Sequence, residues 1–237
     1  DFYNNYGTWY KGIRKANLVL ERINECEDIT TSDLRDFMGR CYFLRAYFYF
    51  NLVRAYGDLP LVTKVLTEDE ANVLQRDPAS TIFDFIVSEC DDIADELPVD
   101  YTKLENDAAN GSNPETGRVT KQAVLALKAR TLLYKASPLF NTNNNLDYWK
   151  DAAVANKAVI DFCAENGITL GKYSELWGTD NYKAKEMIFV RRVGDTNSPE
   201  YTNFPVGMEN GGSGNCPTQN LVDAYEMKST GKAWDEE

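Results

Sequence analysis

Apolar residues recur along much of the chain at the spacing of amphipathic helices. The first such stripe consists of Trp9, Ile13, Ala16, Leu20 and Ile23. Intervals of three and four residues place these side chains on one face of a helix. The same reasoning predicts further helices over about 33–56, 78–97 and 120–134, and a fifth between the 141–145 loop and Gly167.

The second predicted helix differs from the others because it is apolar on nearly every side. It carries eight aromatic residues between Phe37 and Tyr56, and a helix of this kind is expected at the centre of a helical assembly. Residues 31–33 offer an N-cap, and Gly57 followed by Pro60 is a typical stop. Arg45 and Arg54 lie within this belt and are expected to need acidic or carbonyl partners.

Two similar helices suggest a repeat. Leu44-Arg45-Ala46 in the second helix resembles Leu127-Lys128-Ala129 in the fourth, and each of these helices follows an amphipathic partner. Antiparallel pairs of this kind predict a mostly α, tetratricopeptide-like stack. The spacing exceeds the roughly 34 residues of a regular repeat, so loop insertions are required.

The remainder of the chain is less regular. Residues 187–190 are β-prone and predict a minor strand, while 99–117 and 194–217 are rich in Asn, Gly, Ser and Pro and read as loops. We therefore expect a helical scaffold over 8–165 and a loop-rich segment over 166–237. Trp177 follows other apolar residues and is interpreted as core.

Composition excludes several classes of function. The formal net charge of −12 argues against nucleic acid, whose binding needs clustered Lys and Arg. Histidine is absent, which removes the commonest general base and metal ligand. The five cysteines are widely spaced, and four fall in helical patterns, which favours small buried thiols over disulfides. No apolar run approaches the roughly 20 residues of a membrane span.

Five blocks of sequence resemble one known family. Residues 43–62, FLRAYFYFNLVRAYGDLPLV, look like the signature helix and turn of SusD/RagB proteins. In the family's order, 10–17 resembles its first helix, 117–123 a later repeat helix, 186–189 its short strand, and 221–227 the segment before its C-terminal part. The family's lipoprotein cysteine and C-terminal third have no counterpart, so the chain is predicted to be one such domain truncated at both ends.

The resemblance implies a non-catalytic, cofactor-free nutrient-binding protein at the outer-membrane surface of Bacteroidetes-type bacteria. It implies a scaffold of four tetratricopeptide-like units, an N-terminal lipid anchor absent from this chain, and a position over a TonB-dependent, SusC-like transporter. Its expected ligand is a glycan or a peptide. Two alternatives are a protein-binding scaffold without glycan affinity and a carbohydrate-active enzyme with paired carboxylates.

Sugar binding calls for exposed aromatic faces beside Asn, Asp or Arg. Asn5, Tyr6 and Trp9 have this chemistry, and the family's contacts commonly come from the start of the first helix and from later loops. Phe204 and Asn210 in the second long loop are the other candidates. In the alternative interpretation, Trp9 belongs to the core stripe, and the 201–220 loop only covers the helices and binds no ligand. Asp and Asn oxygens in 99–113 could bind Ca²⁺, but without the spacing of a calcium loop.

Overall fold

The computed structural model describes residues 5–99, 118–177, 184, 186–190 and 198–232. Two compact units make up the chain, Asp1–Arg191 and Arg192–Glu237. The helices of the first unit are α1 (Tyr6–Arg22), α2 (Thr31–Tyr56), α3 (Glu68–Asn72), α4 (Ala79–Ile93), α5 (Lys121–Ala136) and α6 (Leu146–Glu165). In the part that the structure describes, no helix is both long and apolar enough to cross a membrane.

The helices of the first unit pack in sequence, and this order confirms a mostly α, tetratricopeptide-like architecture. Helix α2 contacts both α1 and α4, α4 contacts α5, and α5 contacts α6. The five helices predicted from periodicity are all present. The short α3 was not predicted, because it lacks an apolar stripe and depends instead on a capping box between Thr67 and Glu70.

Helix α2 lies at the centre of the core, as its all-round apolar sequence predicts. Phe43, Tyr49 and Leu52 are fully buried, and α4 contributes Ile82 and Phe83 to the same cluster. Burial of a large apolar side chain contributes about 1.5–3 kcal/mol. This one contact region therefore accounts for much of the stability of the first unit.

A buried ion pair joins the same helices. The Arg45 guanidinium donates to both carboxylate oxygens of Glu89, at 2.7 and 2.8 Å, and to Asn17 Oδ1 at 2.8 Å. These contacts link α2 to α4 and to α1. Burial raises the pKa of the Glu89 carboxyl, although Arg45 acts to lower it. Arg45 thus has the acidic partner predicted for it, whereas Arg54 is exposed.

Three lysines of α5 pair with two aspartates of α4 and with Asp95, two residues beyond its end. Lys121 contacts Asp95 at 2.6 Å and Lys128 contacts Asp91 at 2.5 Å. Lys135, the last of the three, contacts Asp84. Because the lysine numbers rise as the aspartate numbers fall, the two helices run antiparallel.

Side chains from α1 and α2 hold the extended connector that follows Gly57. The Tyr10 hydroxyl donates to Pro60 O at 2.7 Å, and Asn17 Nδ2 donates to Val62 O at 3.1 Å. Tyr49 Oη accepts from Val62 N at 2.6 Å and donates back to Val62 O at 3.1 Å. The connector has few backbone partners of its own, so these side chains satisfy groups that burial would otherwise leave unpaired.

We expect stability to fall in alkaline solution because of Tyr10 and Tyr49. Burial is the main cause that raises the pKa of both phenols above the usual tyrosine value. The folded state keeps these protons where the unfolded chain, with a pKa near 10, loses them. The contribution of the two tyrosines to the free energy of unfolding should be constant below about pH 9 and decline above about pH 10, by up to about 1.4 kcal/mol per pH unit for fully buried Tyr49. Denaturant titrations across this range measure the slope.

Tyr49→Phe provides the control, because it removes the more deeply buried of the two phenols and keeps the ring. Its alkaline slope should be shallower than that of the unsubstituted protein, even if its stability at neutral pH is lower. An unchanged slope would assign the alkaline loss to other groups.

Several local expectations are wrong. Residues 187–190 do not form a strand, and β-pairing in the described residues is limited to isolated bridges, because this short run has no neighbouring strand there. The N-cap of α2 is Thr30, whose side chain accepts from Asp33 N, rather than 31–33. All five cysteines are free, but of the four expected to be small buried thiols only Cys90 is buried. Cys41 and Cys163 are half-buried, and Cys26 is exposed after a short 3₁₀ turn outside α1.

Candidate functional site

The first turn of α1 brings Asn5, Tyr6 and Trp9 together. Asn5 is the N-cap, and its carbonyl accepts from Trp9 N at 2.9 Å. Its side chain makes no capping hydrogen bond and is exposed. The amide of Asn5 is therefore available to a ligand on the same turn that carries the two aromatic rings.

Tyr6 is half-buried at the junction of α1 and α2. Its ring lies 4.8 Å from that of Tyr10, and 5.2 Å from that of Tyr56 in an edge-to-face arrangement. Aromatic pairs in such geometries add about 0.5–1.5 kcal/mol beyond area burial. The neighbours fix the orientation of Tyr6 and leave part of it accessible.

Trp9 is also half-buried, and it lies against the aromatic surface of α2. Its ring centroid is 5.5 Å from that of Phe48 and 6.3 Å from that of Tyr47. Gly12 makes this approach possible, because a Cβ there would lie 2.5 Å from Phe48 Cε2. Trp9 therefore combines both interpretations of its sequence position: one side packs on α2 and the rest reaches solvent.

The structure adds Phe189 to this aromatic surface. Its ring lies 5.2 Å from that of Phe43 and 6.0 Å from that of Tyr47, and it is 39% exposed. Tyr47 in turn contacts Trp9. The sequence pattern missed Phe189 because residues 187–190 read as a strand, and no local signal indicates that they meet α2.

Phe204 and Asn210 lie in the second unit, where α7 (Ser198–Asn203) and α8 (Gln219–Asp223) flank a folded loop. Phe204 O accepts from Ser213 N at 2.9 Å, and the Phe204 side chain is 41% exposed. Asn210 is exposed in the left-handed backbone region. Gly211 follows it, where a Cβ would lie 2.2 Å from Pro205 O. The loop is thus ordered by its own contacts and presents both candidate side chains to solvent.

Trp177 is not a core residue, contrary to the sequence interpretation. It is 72% exposed, directly after the 3₁₀ helix Tyr173–Leu176. A single short turn has no continuous face to bury. Tyr173 beside it is 74% exposed, and the two ring centroids are 5.7 Å apart.

The first turn of α1 provides aromatic faces beside an amide group, an arrangement suited to stacking and hydrogen bonding. Within the described ranges, no group of three or more His, Cys, Asp or Glu side chains is placed to hold a metal ion. The Asp and Asn residues considered as Ca²⁺ ligands in 99–113 all lie outside the described residues.

A family profile described as SusD-like, starch-binding and associating with the outer membrane matches residues 1–133. A SusD-like protein of Formosa agariphila is 28% identical over 167 residues, which cover 63% of this chain and 29% of that protein. A second from the same organism is 24% identical over 185 residues, or 77% of this chain and 31% of that protein.

Solved structures extend the likeness to the fold. A SusD-like protein from Bacteroides fragilis superposes with a TM-score of 0.70 at 30% identity, covering 96% of this chain and 42% of the other. A SusD-like carbohydrate-binding protein from the same species gives 0.56 at 28% identity, covering 74% and 30%. The chain spans about three tenths of the length of the curated relatives it matches.

Proposed function

The chain belongs to the SusD-like family, and from this we propose that it is a non-catalytic binding module that captures glycan nutrients at the cell surface. The observation that carries the proposal is the first turn of α1. Asn5, Tyr6 and Trp9 lie within the matched residues, with an exposed amide beside two half-exposed rings. The similarity to a solved SusD-like carbohydrate-binding protein supports a glycan as the ligand.

The proposed mechanism is capture by stacking and hydrogen bonding. A pyranose ring would place its C–H face on the indole of Trp9. The face of an aromatic ring carries partial negative charge, and the C–H groups of the sugar carry partial positive charge. Asn5 would donate to and accept from sugar hydroxyls through its amide. Such a shallow site suits modest affinity, which allows the glycan to be released to a transporter.

The full protein is proposed to work at the outer membrane, held by an N-terminal lipid anchor. It would pass its ligand to a TonB-dependent, SusC-like transporter. The family description, which associates these proteins with the outer membrane, supports this location. Phe204 and Asn210 are proposed as further ligand contacts, because their loop presents both side chains to solvent.

A scaffold that binds only protein is the second candidate. Helix α6 favours it, because Trp149, Val154 and Ile160 are 40%, 72% and 64% exposed there. A terminal helix of a stacked-repeat array normally has a polar outer face. An outer face that carries exposed apolar side chains among charged ones is suited to a protein contact, which could coexist with glycan binding on α1.

A glycan panel separates the two candidates. The full-length protein should bind one class among plant, host and microbial glycans, measured by affinity electrophoresis and calorimetry. Absence of binding across the panel would contradict glycan capture and favour the protein-only scaffold. The next measurement would then be a pull-down that tests whether a transporter is recovered with the protein.

A further inference from the structure

Tyr173 and Trp177 form an exposed aromatic corner that the site on α1 does not include. Their ring planes meet at 61°, and about three quarters of each side chain is in water. Single exposed apolar residues are ordinary on protein surfaces. Two large rings packed edge to face are a more specific feature, because each limits the rotation of the other while most of both side chains stays accessible to a ligand.

Hydrogen bonds within the segment hold this corner in place. Gly171 N donates to the Glu186 carboxylate at 3.0 Å, which ties the start of the turn to a residue 15 positions later. Glu175 N donates to Lys172 O at 2.8 Å. The turn is therefore ordered before any ligand arrives, and a preformed contact spends less binding energy on ordering.

The corner belongs to the same segment that reaches the α1 surface. Glu186, which anchors Gly171, is three residues before Phe189, and Phe189 contacts Tyr47. Tyr47 contacts Trp9. The backbone that carries Tyr173 and Trp177 is thus connected through Glu186 and Phe189 to the aromatic surface around Trp9.

We propose that the Tyr173–Trp177 corner is a second carbohydrate contact, which binds a more distant sugar of the glycan captured at Trp9. This inference rests on the proposed function. The immediate neighbours Lys172, Ser174 and Glu175 supply donors and acceptors for hydroxyl groups. Exposed aromatic rings next to such polar groups match a sugar ring, which has apolar C–H faces and hydroxyl groups around its edge.

Chain length should then determine affinity. A glycan long enough to reach both contacts binds the second one intramolecularly, so its affinity exceeds that of a short glycan that reaches only Trp9. Trp177→Ala should weaken binding of the long glycan by about five- to tenfold. The same substitution should leave the affinity of the short glycan unchanged.

Two variants distinguish sugar stacking from an apolar protein contact. Trp177→Leu keeps an apolar side chain and removes the aromatic face, so it should lose long-glycan affinity as Trp177→Ala does. Leu170→Ser removes an aliphatic side chain that is 91% exposed on the same segment. It should leave glycan affinity unchanged, whereas a protein contact would depend on both side chains.

The experiment uses the full-length protein labelled with fluorotryptophan and one glycan from the panel, at two chain lengths. The Trp177 fluorine resonance is assigned by its loss in Trp177→Phe, and the Trp149 resonance is the internal reference. The long glycan should shift the Trp177 signal and leave Trp149 unmoved.

A Trp177 signal that stays still while Trp9→Ala abolishes binding would overturn this inference and leave the proposed function intact. If no panel glycan binds the unsubstituted protein, the proposed function fails and this inference fails with it.

Discussion

Replacing Arg45 with alanine is expected to lower the free energy of unfolding by about 3–5 kcal/mol. Arg45 is 5% exposed and Glu89 is 6% exposed. The substitution leaves the Glu89 carboxylate and the Asn17 side-chain oxygen without their charged donor. A buried charge without a partner is far more costly than the pair itself is stabilising. Urea unfolding, followed by far-UV circular dichroism, measures the change.

Two comparisons isolate the buried charge as the cause. Arg22→Ala removes an exposed partner of Glu25 and should cost less than about 1 kcal/mol. The double substitution Arg45→Met with Glu89→Leu removes both charges, so it should recover most of the stability lost in Arg45→Ala. If the double variant is as unstable as the single one, the loss comes from packing rather than from the orphaned carboxylate.

Trp9→Ala is expected to weaken glycan binding at least tenfold, or by about 1.4 kcal/mol, in calorimetric titrations of the full-length protein. The substitution removes the largest ring on the first turn of α1. Because Trp9 is half-buried against Phe48 and Tyr47, it should also cost roughly 2 kcal/mol of stability. The protein should remain folded, so the two effects can be measured on the same sample.

Trp149→Ala is the matched control, since it removes a tryptophan that is 40% exposed on α6. It should leave glycan affinity unchanged. Trp9→Phe keeps an aromatic face and part of the packing, and it should bind between the alanine variant and the unsubstituted protein. One outcome would show that Trp9 serves only in packing. In that outcome Trp9→Ala unfolds the protein, while Trp9→Phe folds and binds the glycan with unchanged affinity.

The sequence predicted the main helices because their signals are local. Helix α2 could be placed from its aromatic content and from Gly57, and its burial followed from the lack of a polar face. The presence of an acidic partner for Arg45 could be predicted from the cost of burying a charge. Its identity could not, because only the packing of α2 against α4 selects Glu89 among the acidic residues of α4.

The candidate site divides in the same way. Asn5, Tyr6 and Trp9 fall on one helical turn, so their proximity follows from spacing alone. Their role in binding stays a prediction. The approach of Phe189 to Tyr47 depends on a contact across more than 140 positions of sequence, and no pattern near residue 189 reports it. Trp177 was misplaced for a related reason, since apolar neighbours in sequence do not provide a surface to bury against.

The lysine–aspartate pairs between α4 and α5 have a consequence for how the chain finds its native alignment. Exposed pairs of this kind contribute little stability individually. Their spacing is nevertheless selective: sliding α4 by three or four residues in either direction leaves at most one of the three lysines opposite an aspartate. Lys128, for example, would then face Ser88, Val87, Ala94 or Asp95. The three lysine–aspartate pairs therefore favour the native alignment of α4 against α5 over slipped alignments. Their main effect is on the choice of alignment rather than on the stability of the correct one.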